Sequence, residues 1–97
     1  MSKYHLTKKA VQDLSDIWNY TYDEWSENQA DKYYNFLLES CQEVADNPKF
    51  GKPYDDVEKD LLGFKSTHHN IFFRVTSSTE IEVERILHEK MDIKSKF

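Results

Sequence analysis

Five basic side chains in the second half of the chain are of the types that metal-free RNA cleavage uses: Lys65, Arg74, Arg85, His88 and Lys90. In that reaction a base removes the 2′-hydroxyl proton, cations stabilise the phosphorane, and an acid protonates the leaving 5′-oxygen. His88 is the candidate acid or base, because histidine titrates near neutral pH. Arg74 and Arg85 are the candidate phosphate clamp. The alternative is that all five are ordinary polar residues at the ends of strands.

Two groups of side chains resemble metal ligands, and in both the pattern favours another role. His68 and His69 are adjacent, and neighbouring residues of a strand point to opposite faces, so the two rings are not expected to share an ion. Three carboxylates do share one strand face: Glu80, Glu82 and Glu84. Such a row more often keeps a strand solvated than binds a divalent cation. The sequence therefore predicts no metal site and no cofactor.

The single cysteine, Cys41, lies within an apolar stripe of helical periodicity. A thiol buried in such a stripe packs as a small hydrophobic side chain, and no histidine is placed to activate it. One cysteine also excludes an internal disulfide, which is compatible with a reducing cytoplasm. With only two glycines, the chain has no phosphate-binding loop, dinucleotide fingerprint or serine-nucleophile motif.

Residues 81–92 carry most of the candidate site and begin as an alternating strand. The alternation predicts one face made of Ile81, Val83, Arg85 and Leu87, and another made of Glu82, Glu84, Ile86 and His88. Both faces become apolar at Ile86 and Leu87, which is typical of a strand that lies centrally in a sheet or under a helix pair. The return of polar residues at His88 then predicts a functional site at the edge of the sheet.

Two helical runs precede the predicted strands. Thr7 is a favourable N-cap for a helix over residues 8–24, where apolar side chains recur at helical spacing. Ser26 and Gln29 form a capping-box pattern at the start of a second helix, which Pro48 ends. Because almost no connector separates the two helices, they are expected to form an antiparallel hairpin.

Strands are predicted at residues 4–6, 64–68, 70–76 and 80–87. Residues 47–63 contain both prolines and both glycines and are predicted to form a long loop. The predicted fold is therefore α+β, with an N-terminal strand and an antiparallel helix hairpin packed on a mainly antiparallel sheet of three to four strands. No structure is predicted for the tail at residues 90–97, because Phe97 alone is not expected to hold it.

A chain of 97 residues is expected to form one domain, residues 1–97. The net charge is −5, since residues 1–60 hold 13 Asp and Glu against 7 Lys and Arg, and residues 61–97 hold 5 against 6. This balance disfavours direct DNA binding, which needs several basic contacts to phosphate. No apolar run approaches the roughly 18 residues of a membrane helix, and the N-terminus lacks a signal core. A cytoplasmic location is predicted.

A stripe of five large aromatic side chains is predicted on the helix hairpin: Trp18, Tyr22, Trp25, Tyr33 and Tyr34. The simplest interpretation is that they belong to the core. Five rings are nevertheless many for one small hairpin, and some of them equally suit the wall of an exposed groove that takes an amphipathic partner helix. The residues alone leave both interpretations open.

Four stretches together resemble the ParE toxins of the RelE/ParE superfamily, the toxic halves of bacterial toxin–antitoxin pairs. They are KKAVQDLSDIWNYTYDEWSENQADKYYNFL, NPKFGKPY, HHNIFFRV and RILHEKMD. The last two are the specific ones, and the resemblance covers nearly the full length. Family members often have arginine where this chain has Lys65 and Lys90. Lysine keeps the charge but loses the bidentate fork.

The resemblance implies a ParD-like antitoxin whose C-terminal part wraps and masks the toxin in a hetero-oligomer. It also implies DNA gyrase as the target, inhibited without catalysis so that replication stalls. RelE-like relatives with the same fold instead cut mRNA on the ribosome, so the fold does not choose between the two functions. The acidic charge, the RILHEKMD ending and the few basic residues favour gyrase. His88 favours the nuclease, since some ribonuclease relatives have a catalytic histidine nearby.

The resemblance also implies where the two partners bind. The target-binding set lies at the end of the last strand: Arg85, His88, Lys90, Met91 and Asp92. The antitoxin-binding set is the aromatic set of the hairpin: Trp18, Tyr22, Trp25, Tyr33 and Tyr34. If the chain were a ribonuclease, its catalytic set would be His88, Arg85, Arg74 and Lys65.

Overall fold

The computed structural model describes residues 2–97. Its elements in chain order are β1 (Lys3–Leu6), α1 (Lys8–Glu24), α2 (Glu27–Asp46), β2 (Lys52–Pro53), β3 (Leu62–Ser66), β4 (His69–Val75) and β5 (Glu80–His88), with 3-10 turns at Pro48–Phe50 and Lys94–Lys96. No helix within residues 2–97 is long and apolar enough to cross a membrane.

The helix hairpin forms as predicted because both capping signals are used. Thr7 Oγ1 accepts a hydrogen bond from the Ala10 amide at 3.1 Å, and Ser26 Oγ accepts one from the Gln29 amide at 3.1 Å. Each bond satisfies an amide that the first turn of a helix leaves without a partner. The apolar stripes of both helices then pack on one face of the sheet. The predicted helix over residues 8–24 is confirmed.

Cys41 lies in this core and is fully buried. Burial raises the pKa of the Cys41 thiol to about 12, so the thiol stays protonated at neutral pH. The prediction that Cys41 lies in the core is confirmed.

The five strands form one mixed sheet in the order β1-β5-β4-β3-β2. β1 runs parallel to β5, and the other neighbours are antiparallel. Parallel neighbours such as β1 and β5 cannot be joined by a tight turn and need a longer crossover connection. The helix hairpin, which follows β1 directly, is the first part of this connection. The α+β class and the packing of the hairpin on the sheet are confirmed. The sheet has one strand more than predicted, because Lys52 and Pro53 of the long loop pair with the start of β3.

A β-bulge interrupts the pairing of β5 with β4. Phe72 pairs with Arg85, whereas the next residue, Phe73, pairs with Val83. One step along β4 therefore matches two steps along β5, and Glu84 is the extra residue. An extra residue reverses the alternation of side chains beyond it, because successive side chains of a strand point to opposite faces.

The bulge changes which residues of β5 face the helices. Ile81, Val83 and Ile86 all pack in the core under the hairpin, whereas Leu87 packs on the opposite side of the sheet. The predicted face of Ile81, Val83, Arg85 and Leu87 is therefore wrong. The prediction that β5 is apolar on both sides near its end is confirmed, since Ile86 and Leu87 are 2% and 1% exposed.

The second face of the sheet has a smaller core of its own. Its buried residues are Leu61, Phe72 and Leu87, covered by Tyr54, Val57, Ile93 and Phe97. The Phe72 ring lies edge-to-face with the rings of Tyr54 at 5.2 Å and Phe97 at 5.5 Å. The tail, for which no structure was predicted, is held by Phe97 together with Ile93, which dock on an apolar face that only the folded sheet creates.

Candidate functional site

A groove of about 800 Å³ opens between the connected ends of the two helices and the far end of β5. Ile17 of α1 and Tyr33 of α2 form part of the helical wall. The opposite wall includes His69 of β4, His88 of β5 and Met91 of the tail. The volume lies in the range of ordinary ligand sites in proteins. The polar end of the last strand thus borders a concave site.

Three histidine rings gather at one end of this groove. The rings of His69 and His88 are nearly perpendicular with centroids 5.2 Å apart, and His68 is nearly parallel to His88 at 6.5 Å. His88 Nδ1 lies 3.2 Å from the Lys90 amide, which donates to it, so the neutral ring carries its proton on Nε2. The prediction that His68 and His69 point to opposite faces of one strand is wrong, because β3 ends at Ser66 and His68 lies in the turn.

His69 is the most enclosed ring of the three. The pKa of His69 is lowered to about 4, mainly by burial and in smaller part by the neighbouring His88 and His68. The Tyr33 hydroxyl lies 2.7 Å from His69 Nδ1 and 3.0 Å from Thr67 Oγ1. His69 is therefore neutral at physiological pH. Within residues 2–97, no group of three His, Cys, Asp or Glu side chains is arranged to hold a metal ion.

Lys65 lies beside the histidines but its charge is matched by a carboxylate. Glu89 contacts Lys65 Nζ at 2.9 Å through one oxygen and His68 Nδ1 at 2.9 Å through the other. Hydrogen bonds from Lys65 and His68 lower the pKa of Glu89 to about 2, so this carboxylate is ionised at neutral pH.

Arg85 is bound on the edge of β5 that β1 leaves uncovered. Its Nε and Nη2 atoms donate to the two carboxylate oxygens of Asp13 at 2.7 and 2.8 Å, and Nη1 donates to the Lys96 carbonyl at 2.8 Å. Asp13 Oδ2 also accepts the Ile86 amide at 3.0 Å. The side chains of Arg85 and Asp13 are only 16% and 11% exposed. Arg85 therefore joins α1, β5 and the tail.

Arg74 is bound on another part of the surface. It donates to Glu58 at 2.5 Å and lies 3.3 Å from Glu84. Its hydrogen bond to Glu58 raises the pKa of Arg74, which keeps the guanidinium charged. The pKa of Glu84 is raised to about 7, mainly by burial and then by a hydrogen bond with Glu82.

The structure separates the residues that the nuclease interpretation needs together. His88 pairs with His69 at one end of β4, and Arg74 lies five residues further along, about 17 Å at about 3.4 Å per residue. The Arg85 side chain does not line the groove. Its guanidinium is bound to the carboxylate of Asp13. His88 belongs to the histidine cluster, and of the other three predicted catalytic residues Lys65 approaches it, through Glu89.

The predicted target-binding residues beyond β5 lie at the surface. Lys90, Met91 and Asp92 are all exposed. Met91 is 44% exposed and lines the groove. These three residues follow closely after His88 in the chain, whereas the Arg85 side chain is largely buried in its ion pair with Asp13.

The aromatic residues of the hairpin divide into three groups. Trp25 and Tyr33 line the groove. Trp18 and Tyr22 stack on each other at 5.3 Å outside it, and Trp18 donates to Asp31. Tyr34 packs against the helix-face core. The rings are therefore divided between the core and the surface, and Tyr33 both packs against the core and lines the groove.

Two functional residues of this region were not predicted. Tyr20 is 66% exposed and lines the groove. It follows Ile17 by three residues, so helical spacing could have placed it beside Ile17 on the same wall. The other is Asp13, because no local pattern in the sequence indicates that its partner is Arg85.

Two partly buried groups, His69 in the groove and Glu84 beside Arg74, have opposite effects on the pH dependence of stability. The lowered pKa of His69 means that the unfolded chain binds its proton more readily, so stability falls as pH drops from 6.5 to about 4. The raised pKa of Glu84 means that the folded chain binds its proton more readily, so stability falls as pH rises from 4.5 to about 7. The two effects oppose each other where these windows overlap.

Single substitutions are expected to separate these effects. In His69→Gln, unfolding free energy relative to wild type rises on acidification, and in Glu84→Gln it falls, each by at most about 1.4 kcal/mol per pH unit. Urea unfolding across the overlapping window measures both slopes. Parallel slopes in wild type and both variants would show that neither group titrates as the structure indicates.

A helix hairpin on one face of a mixed sheet, with a groove where the helix tips meet the last strand, is the toxin fold of the RelE/ParE superfamily. One solved structure with this fold is the chromosomal ParDE toxin–antitoxin system from P. aeruginosa, with a TM-score of 0.76 and 20% identity over 91% of this chain and 96% of that chain. Another is the RelBE2 complex from Mycobacterium tuberculosis, with a TM-score of 0.69 and 14% identity over 90% and 96%.

Sequence comparison assigns the chain to one family within this superfamily. Residues 4–93 match the family described as ParE toxin of type II toxin-antitoxin system, parDE. Toxin ParE1 of Mycobacterium tuberculosis is 35% identical over 95% of this chain and 94% of its own length. Toxin ParE1 of Caulobacter vibrioides is 30% identical over 98% and 97%. The chain belongs to the ParE toxin family, and the predicted resemblance is confirmed.

Proposed function

We propose that this ParE-family toxin inhibits DNA gyrase without catalysing a reaction and is neutralised by a ParD-like antitoxin. The observation that carries the proposal is the match to the ParE family over residues 4–93, with relatives aligned over nearly their whole length. Gyrase acts in the cytoplasm, which is the proposed location. The acidic net charge of −5 supports a protein target rather than direct binding to DNA.

The state of the cations also supports a protein target. RNA cleavage needs positive charge aimed at the phosphorane. Here Arg85 is bound by Asp13, Arg74 by Glu58, and Lys65 by Glu89. A phosphate would have to compete with a carboxylate for each of these three cations. The arrangement therefore disfavours a phosphate clamp around His88.

We place the gyrase contact at the end of the last strand, on His88, Lys90, Met91 and Asp92. These side chains reach the surface together, and Met91 borders the groove. In this proposal Arg85 acts indirectly, since its contact with Asp13 holds the strand end in place.

The antitoxin is proposed to cover the groove and the helix tips. Trp25 is 76% exposed and Tyr33 lies in the groove wall, so both are available to a partner. Trp18 and Tyr22 form a stacked pair next to them. Tyr34 is assigned to the core of the toxin rather than to the interface.

One specific observation favours an mRNA endonuclease as the second candidate. Three histidines surround one end of the groove, and histidine is the side chain that most often acts as a general acid or base. The two functions make different demands on His88. A general acid or base contributes to every turnover, whereas an interface residue contributes only part of an affinity.

Purified toxin is expected to inhibit gyrase supercoiling and to leave ribosome-bound mRNA intact. His88→Ala should change the inhibitory concentration by less than about tenfold, because few interface residues are hot spots. His5→Ala is the matched control, since His5 is an exposed histidine on β1, outside the groove lining. The opposite result is toxin that spares gyrase and cuts mRNA, with cutting reduced about 10²–10⁴-fold by His88→Ala. That result would establish the nuclease.

A further inference from the structure

The groove carries an unusual balance of charge. Two carboxylates line it, Asp13 and Asp16, and among its described lining residues there is neither Lys nor Arg. Asp13 is neutralised by Arg85, whereas Asp16 is exposed and meets only the uncharged amide of Gln12 at 2.9 Å. Lys65 and Lys90 lie outside the lining, and Glu89 matches the charge of Lys65. The exposed carboxylate of Asp16, with no Lys or Arg among the described lining residues, therefore gives the groove a negative character.

The acidic character extends over the helix tips. Residues 10–31 contain six Asp and Glu and no Lys or Arg. This run spans most of α1, the connection and the first turn of α2, which are the elements that form the helical wall of the groove. A partner that enters between these helices and β5 consequently meets a negative potential before it meets the groove.

The mouth of the groove also presents exposed rings. Tyr20 and Trp25 are 66% and 76% exposed, and both line the groove. Exposed aromatic groups beside a carboxylate suit a guanidinium, which stacks on a ring face while it pairs with the acid. Met91, which is 44% exposed, and the half-buried Ile17 supply apolar surface in the same groove. Nucleic acid does not match this surface, because its phosphates need the cations that the lining lacks.

We propose that the groove binds a polypeptide segment in which arginines alternate with apolar residues. One arginine of the segment stacks on Tyr20 and pairs with Asp16, one turn away on α1, a second stacks on Trp25, and the apolar side chains pack against Met91 and Ile17. The identity of the partner rests on the proposed function, in which the antitoxin covers this surface. The chemistry of the segment rests on the groove alone.

The test uses the full chain and two fluorescein-labelled synthetic peptides, one alternating leucine and arginine and the other alternating leucine and glutamate. The arginine peptide is expected to bind at least about tenfold more tightly in fluorescence polarisation, which corresponds to about 1.4 kcal/mol. A labelled single-stranded RNA is the third probe. Tighter binding of RNA or of the glutamate peptide, equal binding of the two peptides, or no binding of either peptide would overturn the inference.

Three variants locate the binding on the groove. Trp25→Ala is expected to weaken arginine-peptide binding by about tenfold, as loss of an aromatic anchor does. Asp16→Asn removes one exposed charge and should weaken it by about twofold to fivefold. Glu43→Gln is the matched control, because Glu43 is an exposed carboxylate near the far end of α2 and outside the groove lining. Equal weakening by Asp16→Asn and Glu43→Gln would show nonspecific attraction and contradict the proposal.

The supercoiling assay separates this inference from the proposed function. Gyrase inhibition without arginine-peptide binding would refute only the inference about the groove. Arginine-peptide binding without gyrase inhibition would refute the gyrase target and leave the chemistry of the groove intact.

Discussion

Replacing Asp13 with alanine is expected to lower the free energy of unfolding by about 3–5 kcal/mol, the usual cost of breaking a buried ion pair from one side. The substitution strands the Arg85 guanidinium, whose side chain is 16% exposed, and leaves the Ile86 amide without its acceptor. Both groups would then pay a desolvation penalty without compensation. Denaturant unfolding of the purified toxin measures the loss.

A nearby carboxylate provides the control for this prediction. Asp16→Ala removes an exposed carboxylate one turn further along α1 and should change stability by no more than about 0.5 kcal/mol. If Asp13→Ala costs no more than Asp16→Ala, the bidentate contact between Asp13 and Arg85 does not stabilise the fold.

A double-mutant cycle with Arg85→Ala isolates the pair itself. The two single losses should be strongly non-additive, with a coupling energy of about 0.5–3 kcal/mol, because each substitution alone destroys the same contact. Part of the Asp13 effect should remain in the Arg85→Ala background, since Asp13 also accepts the Ile86 amide. The strand end that carries His88 depends on this contact, so gyrase inhibition should weaken in parallel with stability.

Replacing Phe72 with alanine is expected to cost about 3–5 kcal/mol of stability, as large-to-small changes of a buried ring usually do. Phe72 is fully buried and forms the centre of the core on the second face of the sheet. Its ring contacts Tyr54 from the long loop and Phe97 from the tail. The loss therefore includes the packing of two segments that have few other apolar contacts on this face.

The matched control is Val75→Ala on the same strand, because Val75 is 49% exposed and should lose about 0.5 kcal/mol or less. Phe97→Ala should cost less than Phe72→Ala, and the two losses should be non-additive because the rings touch. Denaturant unfolding of the four variants gives these values, and Phe72→Leu substitutes if Phe72→Ala is unfolded in water. Additive losses would show that the tail does not pack on Phe72.

Local patterns were sufficient wherever one element determines its own structure. The caps at Thr7 and Ser26 and the apolar periodicity that follows them predicted both helices, because helix start signals lie within three residues of each other. The strands that form the sheet behind the hairpin were predicted from alternation, with ends displaced by one or two residues. The motifs HHNIFFRV and RILHEKMD were specific enough to indicate the family that the comparisons confirm.

Contacts between distant residues were not predictable in the same way. Arg85 looked like a free cation in the sequence, because its partner Asp13 lies 72 positions earlier and carries no mark of the pairing. His68 and His69 were placed on opposite faces, because the strand before the turn was predicted to end at residue 68, two residues beyond its actual end at Ser66. The polar end of β5 was therefore predicted from the sequence, whereas the pairing of its charges was not.

The sequence by itself determined the α+β class, the helix hairpin, the polar end of the last strand and the membership of the ParE family. Only the tertiary structure decided which cations are neutralised, which rings reach the groove and where the tail docks. The physical reason is that one extra residue, Glu84, reverses the faces of β5, and no periodic pattern announces a bulge. Phe97 likewise finds a partner only after β4 and β5 have brought Phe72 and Leu87 together into an apolar surface.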